Sequence, residues 1–474
     1  MEVCALRHTR PSIALAIIAV IMGLTVLAPA ACARDVYVRL AQGGSCAIAS
    51  DADMTLTGAS GERRALGRSA TIKMSGARVI VGKETLAMPV RVTSSGLLRF
   101  DGKSYRGDLL FTQRGGMLNV LDMEDYLRGV LPAEVGASWP MEALRAQAII
   151  SRTYALRQSM GRAKKGYDVV DSVSDQVYRG AGAETARTDQ AVSSTAQEIV
   201  AHGNELAFTP FHSDSGGHTA DNADVWTASL PYLKGVPEPV AYASPNASWT
   251  AKIPRATIER AVGIRPVGEI RVARVDKGGR AAELTFVGPK GSKTIKASQF
   301  RTKIGPKVLK STMLTSSPGA PAPRAAPAKA PAPPALVPGG GLTTAQERQL
   351  ARMTADGVFT TSELIDMLAD PKRKGKYYLI GLQRTGQPQA PTPALERESA
   401  PKASPAPAPS SPRPGGTAGM TIAKDGDAFV FHGRGWGHGV GLSQWGAQAL
   451  AKEGWTAEKI LEHYYPGTTV KRYR

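Results

Sequence analysis

The sequence predicts an α+β fold in which a β-rich N-terminal part leads into a helical part. Three observations predict it. Short apolar stretches separated by turn residues fill residues 34–120, and an alanine-rich periodic run follows Pro140. Two Pro/Ala-rich stretches then interrupt the chain before globular patterning resumes at Met420. At 474 residues the chain exceeds one compact core, for which about 100–200 residues is usual.

Taken in order, Val36–Leu40, Thr71–Met74, Arg78–Val81 and Leu109–Phe111 read as strands, with turns at Ser60-Gly61, Ser75-Gly76 and Ser95-Gly96. Asp122 can cap a short helix through Tyr126 and Leu127 that ends near Gly129, leaving Leu131–Val135 as a connector. Pro140 suits the first position of a helix, which continues from Met141 to Leu156. Its many alanines imply neighbours on several sides, and Gln147, Ser151 and Tyr154 share one face. A loop (167–180), a helix near Thr188–Thr195, a hairpin at His202-Gly203-Asn204 and strands at Glu269–Val275 and Ala282–Val287 follow. The domain plan is therefore 34–120 (β-rich), 121–315 (helical core), 316–342 (Pro/Ala-rich linker), 343–385 (small helical module), 386–419 (Pro-rich linker) and 420–474 (C-terminal part). The linkers carry too little apolar surface to offset chain ordering, so they read as extended connections.

A formal charge of +19 implies an anionic partner without naming it. Location narrows the choice. Arg7, His8 and Arg10 precede an uncharged apolar run from Ile13 to Leu27, and Ala31-Cys32-Ala33 fits a small-x-small cleavage site. Residues 1–33 thus read as a signal peptide with Arg34 as the mature start. A retained anchor and lipidation of Cys32 are the alternatives, although Pro29 does not suit a lipoprotein box. Cleavage would leave Cys46 as the one thiol, so neither an internal disulfide nor a cysteine zinc site is expected. Export also makes nucleic acid an unsuitable partner and favours the anionic glycans of a cell envelope.

Three distant segments could carry chemistry. Glu134 lies among Leu131, Pro132, Val135 and Trp139, and apolar surroundings keep a carboxyl protonated, as a general acid requires. The ordinary reading of the same pattern is a helix-entry glutamate stabilising the next helix. Ser213-Asp214-Ser215-Gly216-Gly217-His218-Thr219 imitates a serine-protease loop, but base and acid would have to precede the serine. It reads instead as a tight glycine turn that offers hydroxyls to a polar ligand. His212 and His218 lack a third metal ligand in view. In Gly433-Arg434-Gly435-Trp436-Gly437-His438-Gly439 a strand leads into alternating glycines without the βαβ unit of a dinucleotide site. These glycines would let backbone lie against a sugar chain, with Trp436 and Trp445 either as flat apolar faces or as packing.

Together the segments resemble the SpoIID/LytB domain. The resemblance rests on Tyr126–Glu134, on Glu142–Ala148 with Arg152-Thr153-Tyr154-Ala155, and on Gln176–Gly180 and Ser215–Thr219. Gly435–Gly441, Ser443–Ala447 and His463–Gly467 complete it. It covers Val36 to Thr315 and resumes from Met420 to Thr469. It implies a peptidoglycan lytic transglycosylase that cleaves between N-acetylmuramic acid and N-acetylglucosamine and leaves 1,6-anhydromuramic ends. Glu134 falls on the family's catalytic glutamate. Gln147, Arg152, Tyr154, Ser215, Trp436 and Gln444 are the candidates for holding sugar. Some members carry cysteines associated with zinc where this chain has Val170, Ser174 and Ser215, so no metal or other cofactor is expected. The expected partner is the glycan strand, with wall amidases or envelope proteins as candidates for the 343–385 module. A non-catalytic wall-binding protein or amidase enhancer is the second reading, and a lyase or hydrolase of another envelope glycan the third.

Overall fold

A computed structural model describes residues 34–226, 229–319, 342, 344–355, 358, 367, 374–384 and 418–473. The predicted signal peptide and most of both linkers lie outside the described residues. The fold is α+β, as predicted.

The N-terminal part is one eleven-stranded sheet. Its main path begins with Val169–Val170, Asp35–Ala41, Gly116–Asp122 and Asp108–Thr112 and continues through Val90–Ser94 and Ser45–Thr57. Ile48, Leu56, Val92, Leu109 and Phe111 point to one buried layer, as the alternation of strand side chains requires.

Helix α1 (Met123–Glu134) leaves the strand Gly116–Asp122 directly. Asp122 caps it, accepting from the N–H of Glu124 at 2.8 Å. Here the structure corrects the sequence reading: the helix does not stop near Gly129 but passes through Pro132 and ends at Glu134. Pro132 stands in the last turn, where its missing N–H costs one bond, and the N–H of Val135 still reaches the carbonyl of Leu131 at 3.1 Å. Tyr126, Leu127, Val130 and Leu131 are fully buried, and that burial holds the final turn. Helix α2 (Met141–Arg162) is buried along most of its length, including Ala146, Ala148, Ile149 and Ile150. Helix α3 (Ala186–Ser194) packs on it.

Helices α4 (Arg255–Val262) and α5 (Ala297–Ile304) cover the meander Glu269–Val275, Ala281–Gly288, Gly291–Lys296 and share one core with Ile253, Phe286 and Phe431. The strand Ala428–Arg434 enters that core between Trp249–Pro254 and Met313–Thr315. Thr315 lies opposite His432, and Ala423 lies opposite Val430. The chain thus leaves the domain and re-enters it along one edge of a single strand, which is why an insertion of this length leaves the fold intact. The insertion contributes α6 (Thr344–Ala355) and α7 (Lys374–Arg384), with a small core of Leu350, Met353, Tyr377, Tyr378 and Leu382. Helices α8 (Gln444–Lys452) and α9 (Ala457–Tyr464) return to α2, and the strand Thr469–Arg472 pairs antiparallel with Glu198–His202.

Candidate functional site

Glu134 ends α1, and its half-buried carboxyl lies at the negative pole of that helix. It is not a helix-entry residue of α2, where Glu142 takes the first turn. Burial pushes its pKa up from the ordinary carboxylate range. The N–H of Val177, the side chain of Gln444 and the charge of Arg179 pull less strongly the other way. The helix end adds to the upward push. Val177 N–H donates to Oε1 at 2.7 Å, so the carboxyl is aimed as well as desolvated.

Two distant segments reach this acid. Gln444 opens α8 and donates from Nε2 to the main-chain carbonyl of Glu134 at 3.3 Å and toward Gln147 Oε1 at 3.5 Å. Gln147 in turn donates to Ser151 Oγ at 3.2 Å. The indoles of Trp139 and Trp445 meet at 5.3 Å between centroids, tilted by 59°, so the segment after α1 packs on the first turn of α8. Tyr154, on the same face of α2, donates to Asp175 at 3.1 Å. Asp175 also binds Arg162 through both oxygens, at 2.5 and 2.8 Å, and accepts from Val170 N–H at 2.8 Å. This carboxylate therefore fixes the loop that delivers Val177. With Arg39, Arg162, Tyr167, Asp171 and Ser174 it lines a polar depression of about 390 Å³.

The serine-glycine and tryptophan-glycine loops form one unit. Asp214 and Trp436 exchange backbone bonds at 3.0 and 2.8 Å, and Phe211-His212 pairs in parallel with Leu442-Ser443. Ser443 caps α8, and its hydroxyl also accepts from the N–H of Ser215 at 3.2 Å. Gly216, Gly435 and Gly437 take positive φ, and backbone from the facing loop crowds the place of a Cβ at Gly216 and Gly435. Trp436 is 39% exposed, with Lys310 Nζ 5.2 Å from its ring centre.

Two sugar-holding candidates are corrected by their positions. Arg152 is 1% exposed and grips Glu124 with two donors at 2.8 and 2.6 Å. Its Nη1 donates to the carbonyl of Glu198 at 3.0 Å, so it serves the interior. Ser215 is 0% exposed, and its hydroxyl donates to Glu238 Oε1 at 2.5 Å rather than facing a ligand. Gln147 is also buried, but it touches Gln444 and so acts behind the acid.

Sequence reasoning missed Glu238, which sits alone between Pro237 and Pro239 with no motif to mark it. Tyr464 donates to its other oxygen at 2.6 Å, and burial pushes its pKa up to about 7. A Cβ on Gly446 would collide with Glu238 and Tyr464, so the glycine in Ser443-Gln444-Trp445-Gly446 makes room for this acid. Val177 stood beside residues already singled out, and nothing local foretold that its N–H would reach Glu134.

Val170, Ser174 and Ser215, where the resemblance raised the question of a zinc site, supply no thiolate, and the Ser215 hydroxyl is committed to Glu238. Among the described residues, no group of three or more His, Cys, Asp or Glu side chains is placed to hold a metal ion.

The family profile described as SpoIID, Stage II sporulation protein, matches residues 112–202, the stretch from the strand before α1 to the strand after α3. Over that stretch the chain is similar to the SpoIID family, and its relatives include proteins of both the SpoIID and the amidase-enhancer (LytB) type. Stage II sporulation protein D of Bacillus subtilis (strain 168) is 26% identical over 365 residues, 74% of each chain. The amidase enhancer of the same organism is 25% identical over 426 residues, 83% of this chain and 47% of that protein. An uncharacterized protein of Brachyspira hyodysenteriae is 31% identical over 224 residues, 45% of this chain and 60% of its own. The chain spans about half to three-fifths of the length of two of these relatives.

Proposed function

We propose that this SpoIID-type protein is exported and acts on peptidoglycan glycan strands as a lytic transglycosylase. The observation that carries the reading is Glu134. It is a desolvated carboxyl at a helix C-terminus, aimed by Val177, with Gln444 on its main-chain carbonyl.

Protonated Glu134 donates its proton to the oxygen that links N-acetylmuramic acid to N-acetylglucosamine, and the C1–O bond breaks. The resulting carboxylate takes the proton of the muramic C6 hydroxyl as that oxygen bonds to C1. A 1,6-anhydro end forms, the acid is protonated again, and no water is consumed. Glycosidases that use water or a covalent intermediate need two carboxylates about the scissile bond, whereas here the nucleophile belongs to the substrate. Trp436 and Trp445 offer faces for sugar rings. Exposed Arg179 offers a cation to the anionic strand. No helix among the described residues is long and apolar enough to cross a membrane.

The deciding experiment digests purified glycan strands and identifies the new ends by mass. 1,6-Anhydromuramic ends support the reading, and ordinary reducing ends refute it. A second reading, a glycan-binding enhancer of wall amidases, is favoured by the relative named amidase enhancer. Glycan retention with no new ends would establish that one.

A further inference from the structure

Helix α6 belongs to the insertion, yet its Arg352 is 5% exposed. Nη2 of Arg352 lies 2.6 Å from Glu198 Oε2 and 2.8 Å from Glu458 Oε1, and Nη1 lies 3.9 Å from Glu142 Oε2. The three glutamates come from three elements: the first turn of α2, the strand Glu198–His202 and the first turn of α9. Glu142 also accepts from Arg145 Nη1 at 2.6 Å and from the N–H of Ala457 at 2.7 Å. One turn before Arg352, Arg348 donates to the carbonyl of Val470 at 3.4 Å.

Three carboxylates converge here, and Arg145 is the cation the domain itself supplies to them. The side chains of Glu142 and Glu198 are only 11% and 9% exposed. Like charges gathered with little solvent around them repel, and removing a partner from a buried ion pair leaves the remaining charge uncompensated. Without the insertion the socket would hold three carboxylates against Arg145, and Arg352 adds a second cation.

We propose that Glu142, Glu198 and Glu458 form a docking socket for the inserted module, keyed by Arg352, so that the module closes in cis on its own domain and locks α2 to α9. The arginine face of α6 is then committed to this chain and not to an amidase or another envelope protein. The lock also reaches the candidate site. Glu142 starts α2, and Gln147 on the same helix meets Gln444 beside Glu134. The proposal holds whether the glycan is cut or only bound.

Hydrogen exchange read by mass spectrometry on the full chain tests it. In the wild type, peptides covering 142–150, 344–355 and 457–464 should be protected together. In Arg352→Met all three should exchange at least about tenfold faster, while the sheet around Ala428–Arg434 is unchanged. Combining Arg352→Met with Glu198→Gln and Glu458→Gln removes the unpaired charges. It should restore protection to 142–150 and 457–464, while 344–355 stays exposed. Unprotected 344–355 in the wild type overturns the proposal, as does unchanged exchange in Arg352→Met. If Arg352→Met does not fold, the triple variant decides: failure to restore α2 and α9 overturns it.

Discussion

Gln444 donates a hydrogen bond to the carbonyl oxygen of Glu134 although 310 residues separate them in sequence. Its backbone is placed by the preceding residue, Ser443, which caps α8 and receives the N–H of Ser215. Position 444 is therefore where the C-terminal part touches the acid delivered by α1, and several expectations follow from that contact.

Glu134→Gln keeps the shape and the contact with Val177 but has no proton to give. Formation of anhydro ends should fall by about 10²–10⁴-fold, the usual contribution of a positioned acid, with the melting temperature little changed. Retained end formation in a folded variant would remove Glu134 from the mechanism.

Gln444→Ala should move the pH profile. The Gln444 side chain lowers the pKa of Glu134, so its loss raises that pKa further. Because a general acid works while protonated, the alkaline limb of the rate should shift to higher pH even as the maximum falls. The rate of end formation across pH checks this, and an unmoved limb disconnects the two residues.

Glu238 should shape stability instead. Its pKa is raised from 4.5 to about 7 by burial and by Asp214, so the folded state holds a proton that the unfolded chain releases. That stabilisation is complete below pH 4.5 and fades as pH climbs to about 7, a loss on the order of 3 kcal/mol. Glu238→Gln cannot titrate, so its melting temperature should decline less than that of the wild type across this window. Parallel declines would argue against it.

Arg152 and Trp436 should behave as opposites. Arg152→Ala strands Glu124 and should cost about 3–5 kcal/mol of stability in urea unfolding. Trp436→Ala removes an exposed ring and should leave stability near that of the wild type while weakening glycan retention by about 1 kcal/mol. Unimpaired retention in Trp436→Ala would make that ring a packing residue.

The sequence went furthest where local chemistry decides structure. Short apolar stretches between turn residues marked Val36–Leu40 and Leu109–Phe111, which lie within the strands Asp35–Ala41 and Asp108–Thr112, and Asp122 marked the start of α1. The alanines of α2 announced its burial. The extent of α1 was not legible, because Pro132 is a stop signal locally and is overridden by the burial of Tyr126, Leu127, Val130 and Leu131. Arg152 and Ser215 were misjudged for a related reason. A polar side chain in a motif looks the same in sequence whether it faces a ligand or a buried carboxylate.

By itself the sequence determined the α+β class and the candidacy of Glu134, since both rest on short-range pattern and on which residues adjoin an acid. Only the tertiary structure decided that Val177 and Gln444 converge on that acid, that Glu238 lies under the serine-glycine loop, and that Arg352 is seated among three glutamates. Those relations join residues tens to hundreds of positions apart. Their energies depend on distance and burial in space, which chain order does not encode.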